Sequence, residues 1–142
     1  MRINSKALSL QEFFILVVAI GILSGLTLNN FFRAIQHTFE REAIIQLQNI
    51  HKRVKELESE TGRPPCSHMS DRLMINSQLL LHIPDNNYLS YSYIPHDHHY
   101  ILEVQTSRGW GIRYNSHYPK RGYHCINGPC PSCQEDGENC GN

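Results

Sequence analysis

Leu8-Ser9-Leu10-Gln11-Glu12-Phe13-Phe14-Ile15-Leu16-Val17-Val18-Ala19-Ile20-Gly21-Ile22-Leu23-Ser24-Gly25-Leu26-Thr27-Leu28-Asn29-Asn30-Phe31-Phe32 is a run of 25 residues in which Glu12 is the sole charge. A helix advances about 1.5 Å per residue, and about 20 apolar residues cross a hydrocarbon core. The run is therefore long enough to span a bilayer. Lipid offers the backbone no hydrogen-bond partners, so a spanning segment of this kind must be helical.

Upstream lies a short polar leader, Met1 to Ala7, carrying Arg2 and Lys6. A secretory signal peptide has the same order of basic start and apolar run. Three features set this chain apart from one. The leader is brief, no small-x-small site follows Leu28, where the chain reads Asn29-Asn30-Phe31-Phe32-Arg33, and the helical pattern continues beyond it. A simple single-pass anchor is the plainer alternative. Gly21 and Gly25 form a small-xxx-small pair, which lets helices approach closely in lipid, although glycine is also common in membrane helices.

Glu12 is the residue that needs an explanation. A charge at the centre of a spanning helix costs about 2.5–3.5 kcal/mol, and less near the interface. It can snorkel to the headgroups. Alternatively, a positive partner offsets the cost. A new N-terminus at Leu8 would supply one, either from the same helix face or from a neighbouring subunit.

From Lys6 to Leu23 the chain resembles the class III leader and N-terminal helix of type IV pilins and type II secretion pseudopilins. In that family a short basic leader ends in a small residue, an apolar residue follows, and Glu is fifth in the mature chain. Ala7, Leu8 and Glu12 fit if the cut falls between Ala7 and Leu8. Gly21 and the Val17-Val18-Ala19 run also fall where the family has them. The resemblance implies cleavage by a prepilin peptidase on the cytoplasmic side, N-methylation of Leu8, and a role for Glu12 in registering subunits against a neighbour's amine. It further implies an inner-membrane, single-pass location with the C-terminal body in the periplasm, other pilin or pseudopilin subunits as partners, and an inner-membrane assembly platform. Ala7 replaces the usual Gly before the cut, Gln11 is unusually polar, and Asn29 stands where many pilins carry a kinking Pro. These departures suit a minor pilin better than a major one.

The helical pattern then turns amphipathic. Phe32, Ile35, Phe39, Ala43, Leu47, Ile50, Val54 and Leu57 recur at steps of three or four and define one stripe. The repeats are too few and too irregular for a coiled-coil seam, so the stripe is expected to pack on a small sheet. Gly62 as C-terminal cap and Pro64-Pro65 beyond it place the helix end near Thr61-Gly62. A continuous helix of that extent would be about 80 Å long.

The remaining residues make a small body. Leu79 to Ile83 is a short apolar run, and Asp85-Asn86-Asn87 reads as a turn. Alternation predicts strands over Tyr88–Ile94, Tyr100–Gln105 and Trp110–Tyr114, joined by a loop over Pro95–His99 and by a tight turn at Ser107-Arg108-Gly109. The expected fold is α+β, a long helix against an antiparallel meander. Residues 66–78 carry no pattern that assigns an element. The expected divisions are a leader over 1–7, a spanning helix over 8–32, an amphipathic half over 33–62, and a β-rich body over 63–142 whose tail, 125–142, is Cys-rich and irregular.

Five cysteines, Cys66, Cys125, Cys130, Cys133 and Cys140, follow the apolar run. A body this small has a weak core and benefits from cross-links, and disulfides persist in oxidising compartments such as the periplasm. Spacing does not choose among the pairings, and the odd count leaves one thiol free or paired between chains. The resemblance agrees, since pilins often staple their C-terminal region. A zinc site using Cys130-x2-Cys133 with Cys125 and either Cys140 or His124 is the alternative. His96, His98 and His99 share a loop with Asp97 and are weak metal candidates, since adjacent ligands in a loop rarely build a site. Glu135-Asp136-Gly137-Glu138-Asn139 resembles the calcium-binding C-terminal loop of some pseudopilins, without the spacing of an EF-hand.

Basic and acidic residues balance at 13 each, so no footprint for nucleic acid is forecast. No nucleophile-elbow, P-loop or HExxH pattern is present, and neither catalysis nor a cofactor is expected. The expected function is a structural subunit of a type IV pilus or related filament. A type II secretion pseudopilin is the alternative, and a membrane-tethered periplasmic metal- or ligand-binding module the remoter one.

Overall fold

The computed structural model describes residues 9–128, 130 and 131, apart from the side chain of Leu26. The fold is α+β. Helix α1 runs over Leu10–Thr61, helix α2 over Arg72–Leu79, and four strands follow: β1 Leu89–Pro95, β2 Tyr100–Thr106, β3 Gly111–Asn115 and β4 Tyr123–Ile126. The chain divides into two units between Gln36 and His37, and each is taken by itself.

In the first unit, α1 is apolar around its whole circumference until Phe32. The second unit holds the rest of α1, α2 and the sheet. There the middle of the predicted stripe is buried, with Ala43, Leu47, Ile50 and Val54 at no exposure, while Phe39 and Leu57 are half-buried; towards the first unit Ile35 is half-buried and Phe32 is exposed. Their three- and four-residue spacing puts them on one helix face. The helix stops where expected. Gly62 takes φ +80, a conformation that costs a side-chain-bearing residue, and its N–H donates to Glu58 O at 2.8 Å.

The strands form one antiparallel sheet in the order β1-β2-β3-β4. Register aligns Tyr91 with Val104 and Ile112, and Tyr93 with Leu102 and Tyr114, so the predicted inward residues share one face. That face packs on the helix stripe in a single core. At Gly111 an added Cβ would lie 2.6 Å from the carbonyl oxygen of Val104, so the strand pair can close only around glycine. On the opposite face, Glu103 is buried by its register partner Arg113, whose Nε donates to its carboxylate at 2.6 Å.

Two elements were not assigned from sequence. Helix α2 lies within the unassigned residues 66–78 and takes in Leu79, the first residue of the apolar run. Asp71 caps it, accepting from Met74 N–H at 2.8 Å, and Ile75 and Leu79 bury one face. Strand β4 includes Cys125, so the stretch expected to be irregular from that residue opens as strand. With four half-buried residues it offers too little alternation to be read. Met69 adds a lone bridge to β1, exchanging two backbone hydrogen bonds with Tyr93 at 3.0 and 2.8 Å.

Aromatic rings tie helix to sheet. His51 meets the Tyr114 ring edge-on at 4.7 Å, and its Nδ1 lies 2.7 Å from the Tyr100 hydroxyl. Tyr100 stacks on Tyr93 at 5.5 Å, and the Tyr93 hydroxyl donates to Pro65 O at 2.7 Å. Burial, assisted by Lys55 and opposed by Glu58, holds His51 below the ordinary imidazole range. The lowered value favours the uncharged ring near neutral pH, and its tautomer sets which of Nδ1 and the Tyr100 hydroxyl donates.

The half-buried imidazole of His51 takes up a proton less readily folded than unfolded, so the unfolded chain binds more protons in acid. The stabilisation is complete above the unfolded value of about 6.5 and is lost as pH falls through it toward the lowered folded value. Urea midpoints of the detergent-solubilised chain should therefore fall below about pH 6.5, and less so in His51→Phe. Leu47→Ala should lower stability by about 2–5 kcal/mol in the same assay, since it empties a fully buried site.

Candidate functional site

The first half of α1 is the largest chemical anomaly in the molecule. Every described side chain from residue 9 to residue 34 is exposed. Phe14 is 70% exposed, Leu23 63% and Ile22 61%, with Phe13 and Phe31 similar. Burying one such side chain is worth about 1.5–3 kcal/mol. A row of them in water would be untenable, and a helix apolar all round belongs in lipid or in a core. Among the described residues, α1 is the one helix long and apolar enough to cross a membrane. The polar Thr27 is adapted to such a setting, since its hydroxyl donates to Leu23 O at 2.9 Å within the helix.

Gly21 and Gly25 lie one turn apart, and a Cβ built on either meets nothing within 4 Å. Among the described residues, their small size answers no packing need. It leaves a shallow strip where a second helix can approach.

The start of α1 explains part of the position of Glu12. Ser9 N–H donates to Glu12 Oε2 at 2.9 Å, and Glu12 N–H donates to Ser9 Oγ at 3.2 Å. This is a reciprocal capping box, with two orphan donors of the first turn satisfied. The carboxylate also sits at the positive end of the helix dipole. Glu12 thus has partners within its own chain, in addition to any amine supplied at Leu8. The signal was legible as Ser9-x-x-Glu12 but was not used in the sequence reading. Ala7 and Leu8, the expected processing site, lie outside the described residues.

At the other end of the chain, Cys125 on β4 and Cys130 form a disulfide with Cα atoms 5.9 Å apart. Cys130 is fully buried and Cys66 is an exposed free thiol. The zinc arrangement read from the spacing loses Cys125 and Cys130 to this bond. Cys133, Cys140 and Glu135–Asn139 lie outside the described residues. His96 and His99 stack ring on ring at 4.5 Å, a third imidazole from His117 joins at 5.2 Å, and His98 is exposed beside them. Among the described residues, no three His, Cys, Asp or Glu side chains converge to hold a metal ion. A groove of about 230 Å³ beside α1 is lined by Lys52, Arg53, Glu56 and His82, among others. Arg53 in it already donates to Leu79 O and to Glu56, both at 3.0 Å.

In outline, a long N-terminal helix that packs by its second half on a small antiparallel sheet is a pilin-like architecture. Comparison with family models, with curated protein sequences and with solved structures gives no match.

Ser9→Ala should loosen the helix start by about 0.5–2 kcal/mol. Faster amide hydrogen exchange at residues 10–13 of the detergent-solubilised chain would register it. Unchanged exchange would mean that the box contributes nothing.

Proposed function

We propose that this chain is a structural subunit, a minor pilin of a type IV pilus or related filament, held in the inner membrane before assembly. One observation carries this reading. A single helix is bare and apolar over one half and buried against its own sheet over the other. Such a chain needs a second apolar environment, and two can serve in turn. Lipid tails surround residues 10–32 in the stored subunit, and helices of neighbouring subunits surround them in the filament. The exchange conserves apolar burial, so the subunit can leave the bilayer without exposing the helix to water.

On this proposal a prepilin peptidase cuts between Ala7 and Leu8, and the amine of Leu8 is methylated. That amine meets the carboxylate of Glu12 during assembly, from the same subunit or from a neighbour. Ser9 holds the carboxylate at the helix start meanwhile. Gly21 and Gly25 supply the close approach. The small body, on the periplasmic side, faces outward from the core of helices.

The test is intact-mass analysis after co-expression with a prepilin peptidase. The mature chain should begin at Leu8, lack seven residues and carry one added methyl group. A mature chain that begins after Leu28 would end the proposal. Glu12→Ala should cut incorporation into filaments about tenfold, equivalent to ~1.4 kcal/mol of lost pairing. Gly25→Leu should reduce helix-to-helix crosslinking while leaving the body's urea midpoint unchanged, because nothing in the chain contacts that position.

A further inference from the structure

The turn between β1 and β2 holds three histidines, and a fourth approaches it from beyond β3. His96 N–H donates to His99 O at 2.8 Å and closes the turn. The rings of these two residues lie parallel within 6°, with centroids 4.5 Å apart. His117 then packs on His99 at 5.2 Å and on Tyr118 edge-on at 4.6 Å. The guanidinium of Arg121 stands 5.5 Å from the centre of the Tyr118 ring. Behind the stack, Tyr100 and Ser116 join the same two segments by backbone and hydroxyl hydrogen bonds at 3.0 and 2.8 Å.

We propose that the stacked imidazoles of His96, His99 and His117 are an acid-operated latch, which ties the β1–β2 turn to the segment after β3 while the rings are neutral and releases it when they gain protons. Parallel rings in contact attract when uncharged. Two protonated rings at the same distance repel, and the exposed turn can move apart more readily than the sheet can. The neighbouring charges favour release. His98 on the turn acts on His99 in the same sense as its stacked neighbours, and Asp97 acts in the opposite sense. Partial burial first, and then His96 and His117, hold His99 below the ordinary imidazole range. His99, at the centre of the stack, is thus held in its uncharged form near neutral pH. Tyr100 opens β2 directly after the turn and bonds the neutral His51 on α1, so the same end of the sheet is sensitive to protons at two depths.

The latch uses residues of the body alone, so it stands whether or not the chain assembles as proposed above. What it would govern is the shape of one exposed hairpin end, the surface presented to a neighbour.

The test is NMR of the full chain in detergent micelles, with labelled histidine, titrated from about pH 8 to about pH 5. His99 should titrate below the ordinary value of about 6.5. The protection factor of the His96 amide should fall about tenfold in the same step. In His96→Gln and in His117→Gln the His99 midpoint should rise toward the ordinary value, with a smaller change in His98→Gln. An ordinary His99 midpoint in the unmodified chain would overturn the proposal. So would a titration that leaves the His96 amide protected. Both of these are read without any variant, so a substitution that unfolds the body does not shelter the idea.

Discussion

Apolar side chains must be kept from water, and the described side chains of the first half of α1 are exposed. The rest of the molecule follows from that constraint. The helix cannot be an ordinary core element, because the sheet packs only on its second half. It cannot be left bare, because each large side chain along it would forgo one to a few kcal/mol, about 1.5–3 on the transfer scale. The molecule is therefore incomplete as a monomer in water. Its first half is long and apolar enough to cross a membrane. The capping box between Ser9 and Glu12 fits the same constraint, since it satisfies backbone donors at the point where solvent is about to be lost.

The body answers a different problem. With a short sheet and half a helix it has few residues to bury, and it relies on large rings. Tyr91, Tyr93 and Tyr100 are among its most completely buried side chains. Each brings a hydroxyl into the interior. Two are satisfied, by Pro65 O and by His51, while the hydroxyl of Tyr91 has no hydrogen-bond partner among the described residues. The rings lock helix to sheet, and the link through His51 makes the lock sensitive to acid. The Cys125–Cys130 bond restrains the chain just after the last strand, on the sheet's core-facing side.

Much of this was legible in the sequence. The stripe from Ala43 to Val54, the stop at Thr61-Gly62 and three strands follow from periodicity and from glycine and proline chemistry, because each pattern is long enough to exceed chance. The misses share a physical cause. Helix α2 has eight residues, and its buried face consists of Ile75 and Leu79, too little for a period to show. Strand β4 is shorter still and is defined by its partner β3 rather than by its own alternation. The pairing of Cys125 with Cys130 depends on how the chain turns after β4, which spacing does not encode. The histidine stack depends on His117 arriving from a separate segment. At the candidate site, the exposure of the apolar half and the openness of Gly21 and Gly25 required coordinates. The role of Glu12 was half visible, and its tie to Ser9 was there to be read.

The bridge from Met69 to Tyr93 and the brevity of β4 have one more consequence. A sheet's outermost strands carry unpaired amides and carbonyls, a template on which another copy can add strands without limit. Here one margin is partly occupied by Met69, and the other ends after four residues and leads to a covalent loop. Where many copies are crowded side by side, strand-on-strand growth of an amyloid kind is thereby discouraged.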